Sequence, residues 1–155
     1  MRSSVDVHNY LLDHEVPHEL VPLQGPLRDL GDAPGVLGLD ASEVGRPTVL
    51  ADELGIVVVL APADIAVDLG VVTGLLRRPG LVPLGAERAP GLTGYLIAAV
   101  PPVALDQPAE VVVDTRLAAQ AVVYTSAGEA GVILKIPGDE LVKATNAVVF
   151  PVSRA

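Results

Sequence analysis

The residues able to do chemistry are few, and most of them have a plainer use. His8, His14 and His18 are the chain's three histidines and fall within its first eighteen positions. Pro17 keeps His14 and His18 off a common helical face, so surface or packing roles explain them better than a metal centre. Asp52 with Glu53, and Asp139 with Glu140, sit in a turn and at a helix start, where solvated or capping carboxylates suffice. SAGEAG at 126–131 combines small residues with two glycines, which lets backbone N–H groups approach a ligand closely. A plain hairpin turn accounts for it equally well. LTGYLIAAVPPVAL at 92–105 runs from Thr93-Gly94-Tyr95 to Pro101-Pro102, a composition suited to a rigid, mostly extended loop that lines a pocket or packs on the core. Gly45-Arg46-Pro47 interrupts the mouth of an apolar segment, and a proline as the first residue of a strand is structurally tolerable there.

Several familiar chemistries have no motif here. There is no G-x-x-x-x-G-K phosphate loop, no G-x-G-x-x-G after a strand and no G-x-S-x-G nucleophile elbow. The chain has no cysteine, which removes thiolate metal sites, thiol nucleophiles and disulfides and favours an intracellular location. No metal and no cofactor is expected.

Nineteen acidic residues against ten basic ones give a net charge of -9, which weakens any general attraction to nucleic-acid backbones and anionic membranes. Arg77 and Arg78 are the one adjacent pair of cations. No apolar run approaches the roughly 20 residues needed to cross a bilayer, and MRSSVDVHNY lacks the basic start and apolar block of a secretory signal. A cytoplasmic protein with no membrane partner is expected; oligomeric state is left open.

These groups must be held by the short valine-rich segments around them. Runs at 16–23, 47–53, 57–62, 111–114, 121–127, 132–137 and 147–152 are β-branched and bounded by Gly, Pro or Asp, and read as strands. Turns at 52–55 and 128–131 close hairpins. Helices are expected at 4–14, with Ser3 and Asp6 at capping-box spacing, and at 33–38, 68–76 and 138–147. Hairpin-joined strands with inserted helices predict an α+β fold over residues 1–155 as one domain, with a twisted, mixed, mostly antiparallel sheet of about seven strands and flanking helices.

Taken in order, VPHELVPL, VLGLDASEVGRPTVL, VVVLAPADIAVDL, LTGYLIAAVPPVAL, VVVDTRL, VVYTSAGEAGVILKI and DELVKATNAVVF resemble the YbaK and prolyl-tRNA-editing domain family, from about residue 5 to the end. The resemblance implies trans-editing hydrolysis of a mischarged aminoacyl-tRNA ester by a water held in a small pocket. Its partners would be mischarged tRNA and an aminoacyl-tRNA synthetase. Thr48, Gly94 and Ser126 match the family's catalytic positions; Tyr95, Ala98, Ala99, Pro102, Gly128 and Ile133 fall at its pocket positions. Pro47 occupies the place of the family's lysine, and Arg46 would supply a cation only if a bulge at Gly45 shifted the strand register by one. Ala98 and Ala99 replace loop glycines, and Ile133 falls where relatives can carry a polar residue. The alternative is a catalytically lapsed relative that binds an amino acid, a small ligand or a partner protein.

Overall fold

The computed structural model describes residues 1–27 and 29–154. In chain order its elements are α1 (Ser4–Asp13), β1 (Glu19–Pro22), a one-turn 3-10 helix (Leu30–Asp32), α2 (Ala33–Leu37), a second 3-10 turn (Ala41–Glu43), β2 (Gly45–Asp52), β3 (Gly55–Pro62) and α3 (Leu69–Leu76). Then follow β4 (Val82–Pro83), α4 (Ala89–Thr93), a third 3-10 turn (Ile97–Ala99), β5 (Ala109–Val113), α5 (Thr115–Ala118), β6 (Val123–Ser126), β7 (Val132–Ile136), α6 (Gly138–Thr145) and β8 (Val148–Val149).

The architecture turns on β3. Its side chains alternate between two apolar clusters: Ile56, Val58 and Leu60 enter one, while Val57, Val59 and Ala61 enter the other. A strand buried on both faces must be central. Accordingly β3 pairs with β2 antiparallel on one side and with β5 parallel on the other, in the order β4-β2-β3-β5-β8. The smaller cluster is closed by Val72 of α3 and by Val152. The larger is closed by Val7 and Leu11 of α1, Leu117 of α5 and Leu141 of α6.

A second sheet, β1-β7-β6, is wholly antiparallel and meets the first through a bridge from Val44 to Tyr124. Leu30, Ala33, Val44 and Ile133 form a third cluster at that seam, and this pins the segment leading into β2 against the smaller sheet. The α+β class and the mixed, mostly antiparallel pairing are as the sequence predicts. Among the described residues the strands number eight and divide between two sheets, the addition being β4, whose two residues are too few to show a period.

Local signals carry through at α1, where the Ser3 hydroxyl accepts from the Val5 amide and the Asp6 carboxylate accepts from the Ser3 amide at 2.7 Å. The segment at 92–105 departs from expectation. It is not mostly extended: it opens inside α4, reverses at Gly94 with φ 89° and makes a 3-10 turn at Ile97–Ala99. Pro90 at the head of α4 suits a helix start, which the neighbouring glycines disguise. The histidines also group differently, with the His8 and His18 rings 2.8 Å apart, nitrogen to nitrogen. Among the described residues no helix is long and apolar enough to cross a membrane.

The β2-β3 hairpin is tied to the end of α3. Arg78 donates to both oxygens of Asp52, at 2.9 and 2.5 Å, and to the Gly55 carbonyl at 3.1 Å, with both side chains of the ion pair 7 % exposed. The Arg78 guanidinium, helped by the Leu54 amide, brings the Asp52 carboxyl from its ordinary 3.8 down to about 2. Because the folded value lies below the unfolded one, this contribution is complete above about pH 4 and is lost as pH falls towards 2. Asp52→Asn should therefore be less stable than wild type at pH 7 and should show a shallower loss of stability between about pH 4 and pH 2, read from urea midpoints across that range. Parallel curves for the two proteins would contradict this.

Candidate functional site

The backbone of β2 creates a cleft. Along a strand the carbonyls of alternate residues point to the same side. The Val49 carbonyl points away from β3 and accepts from the Leu84 amide at 2.9 Å, at the end of the short β4 ladder. The Gly45 carbonyl, four residues earlier on that side, accepts from the Thr125 hydroxyl of β6 at 2.7 Å. Between these two clasps lies Pro47. Its carbonyl faces the open edge, and it has no N–H to leave unsatisfied there.

A cleft of about 390 Å³ occupies this gap, lined by Arg46, Pro47, Thr48 and Val49 of β2, Pro83 and Leu84 beyond it, Ile97 and Ala98 of the third 3-10 turn, and Asp29 and Leu30. Ala98 and Leu30 also border an adjoining inner slot of about 20 Å³, whose wall includes Ser126 and Ile133. Ser126 and Ile133 stand opposite each other in the β6-β7 register, so the inner slot is the end of the small sheet seen from the cleft.

Arg46 borders the cleft in an unshifted register. The β2-β3 pairing runs without interruption from Gly45 opposite Pro62 to Asp52 opposite Gly55, and no bulge intervenes. A cation reaches the rim because the cleft opens at the strand's edge, where side chains from both faces can border it. Arg46 donates to the Asp29 carboxylate at 2.8 Å, with both side chains about half exposed. The other Asp29 oxygen accepts from the Gly31 amide at 2.7 Å. Burial alone would raise the Asp29 carboxyl, but the Gly31 amide and the Arg46 guanidinium together hold it below the usual carboxylate range.

Most of the other residues suggested by sequence are placed away from the cleft. Gly94 is the left-handed cap of α4, where an added Cβ would stand 2.8 Å from an Asp106 oxygen; its carbonyl accepts from the Arg2 amide. Tyr95 is wholly buried and donates its hydroxyl to the Ala104 carbonyl at 2.8 Å, and burial pushes that hydroxyl up to about 12. Pro102 lines a different cleft, of about 360 Å³, with Arg2 and Tyr10. Gly128, at φ 91°, packs against the Tyr95 ring and the Ser3 backbone, and its amide donates to the Ala99 carbonyl at 3.0 Å. Ser126 is buried and donates to the Val100 carbonyl. Gly94, Tyr95, Ala99, Pro102 and Gly128 thus brace the strut that carries Ala98, while Arg46, Pro47, Thr48, Ala98, Ser126 and Ile133 border the cleft or its slot.

Asp29, Leu30, Pro83, Leu84 and Ile97 line the cleft and were not singled out from the sequence. Asp29 had one local signal: an aspartate two residues before a glycine is a turn-capping pattern, though a cap does not by itself imply a ligand. For Pro83 and Leu84 nothing local points to the cleft, because a pairing 35 residues distant from Val49 puts them there.

A mixed α+β fold with a cleft at a strand edge is the class that these observations define. The comparisons with known proteins give it a family. The model of the aminoacyl-tRNA editing domain matches residues 25–144, and the chain belongs to that family. Among solved structures, the hypothetical protein APE2540 is 30 % identical with a TM-score of 0.87, over 95 % of this chain and 98 % of its own. A proposed trans-editing enzyme for prolyl tRNA synthetase is 24 % identical with a TM-score of 0.88, over 100 % of this chain and 99 % of its own. That second likeness speaks for the fold. No curated protein matches the chain.

Proposed function

We propose that this protein hydrolyses the ester of mischarged aminoacyl-tRNA, acting in trans in the cytoplasm, and that the cleft at Pro47 receives the aminoacyl end. The observation that carries the reading is the gap in the β2 edge, a pocket of small-molecule size that shares Leu30 and Ala98 with the Ser126-Ile133 slot. It fits the activity of the family to which the chain belongs, and the trans-editing description of one structural relative points the same way.

In the reaction a water oxygen adds to the ester carbonyl, the bond to the ribose oxygen breaks, and that oxygen takes a proton. The products are a free amino acid and tRNA with its terminal hydroxyl restored. The protein's part is orientation and support of the developing oxyanion by fixed dipoles. The amides of Ile97 and Ala98 open a one-turn helix and have no carbonyl of that turn behind them, and both residues line the cleft, so they are the donors this reading assigns to the oxyanion. Thr48 is half-buried on the cleft lining and supplies a hydroxyl. With a net charge of -9, recognition centres on the acceptor end and involves few phosphate contacts.

A second reading has its own support. The Ser126 hydroxyl and the Gly128 amide are both committed to backbone carbonyls, and Pro47 offers no donor where the family's lysine would stand. On this reading the cleft still binds but no longer turns over. The test is incubation with tRNAs mischarged with Ala, Cys, Ser or Pro. Release above buffer hydrolysis is expected for wild type with at least one of them. Silence across the panel, followed by activity in Pro47→Lys, would overturn the first reading in favour of the second.

A further inference from the structure

Beside the Arg46 guanidinium and the Thr48 hydroxyl, the cleft lining carries two acceptors, the Asp29 carboxylate and the Pro47 carbonyl. The Asp29 carboxylate has two oxygens and about four acceptor sites. One oxygen takes the Gly31 amide and the other takes Arg46, so with respect to the described residues each keeps an acceptor site for a further donor. The Pro47 carbonyl faces the same gap, and among the described residues none donates to it outside the strand ladder. Asp29 is fixed as a cap of the Leu30–Asp32 turn, with Leu30 buried at the seam of the two sheets, so the carboxylate is preorganised at the rim.

A carboxylate and a backbone carbonyl on one cleft suit a compact cation with several N–H donors. An α-amino group ordinarily titrates at about 7.7–8.0 and at neutral pH is largely such a cation. We infer that Asp29, oriented by Arg46 and assisted by the Pro47 carbonyl, recognises the free α-ammonium of the aminoacyl group, making the site selective for esters of unblocked amino acids over N-acylated ones. This rests on the proposed use of the cleft for an aminoacyl ester. It gives the proline in β2 a positive role as well: a residue with no N–H removes one donor from this edge. Arg46 serves as a positioning residue, holding the carboxylate towards the gap.

The test uses binding, so that it reads out whether or not turnover occurs. The probes are 3′-alanylamido-3′-deoxyadenosine, in which an amide replaces the ester, and its N-acetyl derivative, each titrated calorimetrically into wild type and Asp29→Asn. Asparagine retains the capping oxygen for Gly31, so the turn should persist. The free-amine probe should bind wild type at least about tenfold more tightly than the acetylated one, a difference of a charge-assisted contact. In Asp29→Asn the ratio should fall to within about twofold, with affinity for the acetylated probe unchanged. Equal affinities in wild type, a ratio that survives Asp29→Asn, or failure of both probes to bind would overturn the inference. Inactivity on mischarged tRNA alongside a wide binding ratio would remove the hydrolase reading and leave this one standing.

Discussion

Ala98→Leu should lower the rate of release of the amino acid from mischarged tRNA by about 100-fold while leaving the protein as stable as wild type to within about 0.5 kcal/mol. The residue is exposed, sits on a one-turn helix, and borders both the outer cleft and the inner slot. Its added isobutyl group would project from the wall shared by the two spaces, and displacement of a bound ester by even about 1 Å is enough for a loss of that size. No core contact is removed, so thermal unfolding should not move. Initial rates on a mischarged tRNA, with unfolding curves on the same preparations, separate a blocked cleft from a damaged fold. A rate unchanged by Ala98→Leu would mean that the ester does not enter here.

The largest effect on stability is expected at Asp114. Its carboxylate is wholly buried at the end of β5, caps α5 by accepting from the Arg116 amide at 2.9 Å, receives two further bonds from the Arg116 guanidinium, and accepts from the Val152 amide at 3.0 Å. Burial pushes this carboxyl up, and those donors more than offset it, holding it below the usual range. Asp114→Ala strands the buried Val152 amide, at about 1–3 kcal/mol for a buried donor left without a partner, and removes the cap from the partly buried Arg116 amide, at about 1 kcal/mol. A loss of about 3 kcal/mol follows, or roughly 6 to 12 °C in Tm for a chain of this size. Arg116→Ala should lose far less, because the guanidinium is about half exposed. The effect should extend to the site: α5 holds Leu117, whose side chain lies against Gly45 at the entry to β2. Equal losses for the two variants in thermal scans would contradict the role given to the carboxylate.

How much of this could be read beforehand varies with the range of the interactions. The valine runs of β3, β5 and β7 announce themselves, because a strand buried on one or both faces needs only local composition to be recognised. So does the capping box at Ser3 and Asp6, where the partners are three residues apart. β4, α4 and α5 hold two to five residues each, too few for any period to emerge, and they exist because of what they meet in the folded chain. The cleft is less legible still. Its two ends are the Thr125 bond to Gly45, 80 residues away, and the Leu84 bond to Val49, and neither follows from the residues near Pro47.

The same reasoning explains the fate of Arg46. Alternation along a strand correctly assigns adjacent side chains to opposite faces, and from that rule Arg46 would need a register shift to join the site. The rule holds for a pocket on a face. This cleft lies at an edge, where the faces meet, and Arg46 reaches it with the ladder intact. Gly94, Tyr95 and Pro102 show the converse. Their order along the chain suggests a loop lining one pocket, but the reversal at Gly94 sends them into the core and towards the cleft beside Arg2.

On the proposed function, an aminoacyl ester is hydrolysed in the gap at Pro47. The most direct test is the initial rate of amino-acid release from one mischarged tRNA by wild type beside Ala98→Leu, at matched concentration and salt. The account predicts release well above buffer hydrolysis for wild type and about 100-fold less for the variant. Equal rates for the two, or wild-type release no faster than buffer across the Ala, Cys, Ser and Pro panel, would contradict it.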